Sequence, residues 1–140
     1  MTSDAMARDY LQRARARRIA VDALFAARGY ADVVRESQDL VELVLKGALR
    51  FIGVEPPKRH DVHVTVEEFI ERFPPEWRAT LAELRQALDR LAADRAPAFC
   101  GDEAEGIPAS ELFGEDDARR AMTVADRLLD LYARLLSEKR

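Results

Sequence analysis

Glu42, Lys46, His60 and Asp61 are the side chains whose types and spacing best suit chemistry in this chain. Glu42 and Lys46 stand one helical turn apart in the acid-before-base order that favours an ion pair on a helix surface. His60 and Asp61 are adjacent: a carboxylate beside an imidazole orients the ring toward a phosphate or a proton transfer, or the pair simply locks the exit of the preceding helix. Arg17 and Arg18 fall in or beside the apolar register set by Ala14 and Val21, where a guanidinium needs a partner. Glu42 or Asp39 across a helical hairpin is the expected internal partner; a ligand phosphate or a second subunit is the other.

Other reactive types point to less. His60 and His63 flank Asp61 at a spacing reminiscent of metal ligands, but no Cys is near and nothing fixes the geometry, so no metal and no cofactor is expected. Cys100 has no His in its own segment to activate it and reads as a partly buried, inert thiol. The glycines at 101 and 106 bracket an acidic turn without Lys, Ser or Thr, which would repel phosphate rather than cradle it.

These groups are positioned by helices. Ala7, Leu11, Ala14, Val21 and Phe25 form one apolar stripe, and Val33, Ser37, Leu40, Val41, Val44, Ala48 and Ile52 form a second. The spacing predicts a first helix from Ser3 or Asp4 to Arg28, stopped by Gly29, and a second from Tyr30 to Ile52, stopped by Gly53. Thr65 and Glu68 suggest a capping box for a short helix ending near Phe73, after which Pro74-Pro75 breaks the chain. Trp77, Leu81, Leu84, Leu88 and Leu91 define a helix from Glu76 to Arg95, with Pro97 as its end. Residues 96–115 lack a period and read as the longest irregular connection. Glu115, Asp116 and Asp117 then open a last helix striped by Ala121, Val124, Ala125, Leu128, Leu131, Tyr132 and Leu135. The expected fold is therefore all-α: an up-and-down antiparallel helical bundle of four main helices plus one short helix, with residues 1–140 as a single domain.

Composition is consistent with this. The chain has 140 residues, 48% hydrophobic and 34% charged, enough for one core. With 22 basic against 26 acidic residues the formal charge is −4, which argues against a general nucleic-acid-binding surface. No apolar run is long enough to cross a membrane and the first residues lack a secretory pattern, so a cytoplasmic location is expected.

The order E-L-x-L-K-x-x-L over Glu42 to Leu49, then Gly53, the Pro56-Pro57 pair and His60-Asp61, resembles the HEPN domain family. The stretch from Ala98 to Tyr132 is similar to the tail of prokaryotic members, with Cys100 and Phe113 where tyrosines are expected and Ala109 where a second proline is common. The resemblance implies a small helical bundle, homodimerisation, a nucleotide ligand and a small nucleotidyltransferase partner. It places Arg17, Arg18, Glu42, Lys46, His60 and Asp61 along the relevant groove. The ribonuclease branch of that family carries Arg, four to six residues, then His late in the chain, whereas the two histidines here lie at 60 and 63. The resemblance thus implies a non-catalytic binding module; a ribonuclease toxin working through His60, or a purely structural subunit, is the alternative.

Overall fold

Each long apolar period becomes a helix in the computed structural model, which describes residues 4–138. The elements are α1 (Asp4–Ala26), α2 (Tyr30–Phe51), α3 (Val62–Glu68), α4 (Pro75–Cys100), α5 (Ala109–Leu112) and α6 (Glu115–Glu138), with a 3-10 turn at Ile70–Arg72. They pack as an all-α bundle in which α2 is central, touching α1, α6, α4 and α3. Among the described residues the sole β-type pairing is an isolated bridge between Asp102 and Ile107. Ser3, one of the two expected caps of the first helix, lies outside the described residues.

The two ends of the α1–α2 hairpin are closed by the same device in different chemistry. At the end of α2, Gly53 adopts a φ of 87°, its N–H donates to the Arg50 carbonyl, and the Val54 N–H donates to the Leu49 carbonyl. This doubly bonded helix stop requires a left-handed residue, which glycine adopts without steric cost. At the end of α1 the left-handed residue is Arg28, with a φ of 62°, and not the expected Gly29. Its N–H donates to the Phe25 carbonyl and the Gly29 N–H to the Leu24 carbonyl. Helix α1 therefore stops at Ala26, two residues before the predicted boundary.

Three other boundaries differ from the sequence reading. The α3 helix begins at Val62, directly after Asp61, so Thr65 sits inside it and forms no capping box with Glu68. The α4 helix starts on Pro75, where a missing N–H costs nothing, but it continues through Pro97 to Cys100. A proline in the last turn removes one helical bond only, and Ala98 behind it is 1% exposed, so packing outweighs that loss. Gly101, with a φ of 74°, stops the helix by donating its N–H to the Pro97 carbonyl. The stretch expected to be irregular is consequently part helix, part bridged turn and part α5, and the longest non-helical connection is instead 52–61.

The predicted stripes of α1, α2, α4 and α6 are buried almost residue for residue, with Ile52 and Phe25 half-covered at the ends. Phe73 and Trp77 pack at 4.7 Å and seat the α3–α4 corner on the core. The tightest approach is at Gly47 of α2. The Tyr132 hydroxyl from α6 passes its bare backbone to donate to the Ala7 carbonyl of α1. A Cβ at Gly47 would overlap that hydroxyl and lie 2.7 Å from Cζ of the same ring.

Two substitutions test these packing claims by thermal or denaturant unfolding. Gly47→Ala is expected to cost about 1–3 kcal/mol through overpacking, and part of that cost should disappear when Tyr132→Phe is combined with it; strictly additive effects would count against the contact. Arg28→Gly is expected to stabilise by about 0.5–1 kcal/mol, since relief of the left-handed conformation exceeds the entropy glycine adds to the unfolded chain.

Candidate functional site

Arg35, Asp39, Glu42 and Lys46 recur at helical spacing along one side of α2, facing the end of α4 and the 52–61 connection. Glu42 is the hub. Its Oε2 accepts from Lys46 Nζ at 2.9 Å and its Oε1 lies 2.9 Å from His60 Nδ1. Arg95 of α4 reaches across with Nε 3.8 Å from Asp39 and 3.9 Å from Glu42, while Arg35 donates to the Arg95 carbonyl at 3.1 Å. Arg35 also lies over the ring of Phe99, 4.8 Å from its centre, and that phenylalanine is 69% exposed. The result is a half-buried charge cluster with three cations (Arg35, Lys46, Arg95) against two carboxylates (Asp39, Glu42), an imidazole at one side and an exposed aromatic face nearby.

Burial opposes ionisation of Glu42, but the hydrogen bonds from Lys46 and His60 outweigh it and hold its carboxyl below the ordinary 4.5. The His60 backbone is fixed as well, since buried Gln38 donates to its carbonyl at 3.0 Å. His60 thus clamps the 52–61 connection to α2 at two points. Its ring remains about half exposed, with Nε2 on the side away from the Glu42 contact.

Of the six residues singled out in the sequence, Glu42, Lys46 and His60 come together and the other three do not join them. Asp61 turns from His60 and takes Arg59, which donates from Nε and Nη2 at 2.9 and 2.6 Å. Arg18 pairs with neither Glu42 nor Asp39: it points to α6, donating to Asp126 at 2.5 and 3.1 Å and to Asp22 at 2.7 Å. Those carboxylates, Asp126 first, hold the guanidinium firmly protonated. Arg17 reaches Glu36 across the hairpin at 3.9 Å. The physical reason is angular: Asp39 and Glu42 occupy the side of α2 that faces α4, whereas Arg17 and Arg18 leave α1 toward the opposite side and toward α6.

His63 is 2% exposed and its Nε2 lies 2.6 Å from Asp89 of α4, an anchor for α3 with no sequence signal because the partners are 26 residues apart. His60 and His63 therefore address different carboxylates, and among the described residues no three His, Cys, Asp or Glu side chains gather as a metal site. Cys100 is exposed and not partly buried, since the extended α4 turns Ala98 inward and leaves positions 99 and 100 on its outer side. No helix among the described residues is long and apolar enough to cross a membrane.

A small bundle wrapped round one buried helix, with a polar cluster where that helix meets the fourth, is the class of domain that these features define. The family model for the HEPN domain matches residues 7–136, and the chain belongs to that family. No curated protein and no solved structure matches it.

The ionised Glu42 stabilises the folded chain fully above about pH 4.5, because the unfolded chain has the higher proton affinity there; the contribution fades as pH falls toward the depressed folded value. Stability measured from about pH 5 down to about pH 3 should fall less steeply for Glu42→Gln than for the unaltered protein. Parallel curves would show that the Lys46 and His60 contacts do not persist in solution.

Proposed function

We propose that this HEPN domain is a non-catalytic binding module: a homodimer that holds a nucleotide phosphate in the groove between α2, α4 and the 52–61 connection, and works beside a small nucleotidyltransferase. The observation that carries the reading is the groove's composition. Cations outnumber carboxylates there by one, the groups are half-buried where phosphate contacts gain strength, and Phe99 with Arg35 provides an open face on which a base can stack. Family membership supports the same reading, as does the distribution of imidazoles. Both histidines precede residue 64, and His63 is buried against Asp89, leaving a single accessible ring rather than an acid-base pair.

A second reading is favoured by one contact. Glu42 holds His60 at Nδ1 and leaves Nε2 free for proton transfer, the arrangement by which a carboxylate orients a catalytic imidazole. In that case the domain is a ribonuclease acting through His60.

Calorimetric titration with ATP, GTP and AMP separates the possibilities. Heat of binding that weakens about tenfold in Lys46→Ala or Arg95→Ala supports the groove; silence at about millimolar nucleotide, roughly the weakest binding such a titration resolves, would leave a purely structural subunit. RNA incubated with the purified protein should remain intact, and cleavage lost in His60→Ala would replace the binding reading with the ribonuclease one.

A further inference from the structure

The α1 helix has a second apolar face. Ala7, Leu11, Ala14 and Val21 point into the bundle. Ala16, Ile19, Ala20 and Ala23, spaced i, i+3, i+4 and i+7, point to solvent instead, and Ile19 is 72% exposed. That spacing is the mark of a helix face that another element covers. On α6, by contrast, every exposed residue from Glu115 to Ser137 is polar or charged. An open concavity of about 640 Å³ runs along the outer face of α1, bounded by the three alanines, Arg17 and Leu24 and by Glu36 of α2.

The edges of this face are positive. Residues 5–20 carry five arginines against the single acid Asp9, in a chain whose net charge is −4. Arg15 borders one edge and makes no hydrogen bond or ion pair among the described residues. Arg13 and Arg17 border the other, reaching Asp9 and Glu36 only at 4.0 and 3.9 Å, beyond hydrogen-bond range. The Nε of Arg17 is also shielded from water with no acceptor. All three arginines therefore keep N–H donors for carboxylates that arrive from outside.

These features select the occupant. Two copies joined through this face would set Arg13, Arg15 and Arg17 against their own counterparts. A lipid surface is held by large apolar groups, and Ile19 is the one large side chain in a stripe of alanines. Small side chains let a second helix approach closely, and the arginine edges call for acid on it. We infer that α1 is a docking surface for an acidic amphipathic helix of another protein, whose apolar stripe lies on Ala16, Ile19, Ala20 and Ala23 and whose carboxylates meet Arg13, Arg15 and Arg17. None of these residues belongs to the cluster around Glu42, so nucleotide binding there and docking here stand or fall separately.

Photo-crosslinking from benzoylphenylalanine in place of Ile19, in the cells that make the protein, tests this, with the same probe at exposed Ala82 of α4 as the control. Sequencing the adduct should show a helical segment of a different protein with Asp and Glu on both sides of an apolar stripe, absent from the control. With the two chains purified, affinity should fall at least about tenfold when Arg13→Glu and Arg15→Glu are combined, and about tenfold as salt rises from about 0.05 to 0.5 M. Lysines in place of the partner's facing acids should restore binding to the charge-reversed variant, whose helices circular dichroism checks. Crosslinking to a second copy of this chain, to lipid or to a segment without excess acid overturns the assignment. So does an equal adduct from position 82, no adduct at all, or unchanged affinity in the charge-reversed variant.

Discussion

Along the whole of α2 only Asp32 is fully exposed, the other residues being buried or partly covered, so most polar side chains on that helix find partners within the protein. This is the constraint on which the other features depend. An amphipathic surface helix can leave its polar side to solvent, but a helix enclosed by α1, α3, α4 and α6 cannot. Gln38 finds the His60 carbonyl, Glu42 finds Lys46 and His60, and Asp39 lies between Arg35 and Arg95. The cluster is thus a product of burial: polar residues with restricted access to water collect partners from α2 itself, from α4 and from the 52–61 connection. Those partners in turn fix the 52–61 connection and the end of α4.

The same enclosure explains Gly47. A side chain in the middle of a helix is normally tolerated, and glycine there costs helical stability. Here three helices approach so closely that the absent Cβ becomes a passage for the Tyr132 ring. The contact joins α1 and α6 past the bare backbone of α2 through one hydroxyl.

Much of the fold was legible in the residues. The apolar periods of the four long helices map directly onto burial, because a 3.6-residue repeat has few other interpretations over twenty positions. The Gly53 stop and the Pro74-Pro75 break were legible for similar reasons. What failed was local chemistry that tertiary packing overrode: Pro97 inside α4, Thr65 inside α3, and Arg28 in a left-handed turn beside an available glycine. Of the site, the Glu42–Lys46 pair was legible from its spacing. His60 meeting Glu42, Arg18 meeting Asp126 and His63 meeting Asp89 were not, because helix rotation decides which side chains face each other and charge pattern alone does not encode it. An isolated glycine within a strongly apolar stretch was the one available signal for the α2–α6 approach.

The burial of Tyr132 has a consequence for covalent chemistry on this chain. Its hydroxyl is sealed between helices, its proton is held more tightly than in a free phenol, chiefly because of that burial, and its oxygen is committed to a backbone carbonyl. No transferase can reach that oxygen without prising α6 from its neighbours. Any group attached to a tyrosine of the intact domain must therefore be carried by Tyr10 or Tyr30, the two whose rings are partly open to solvent.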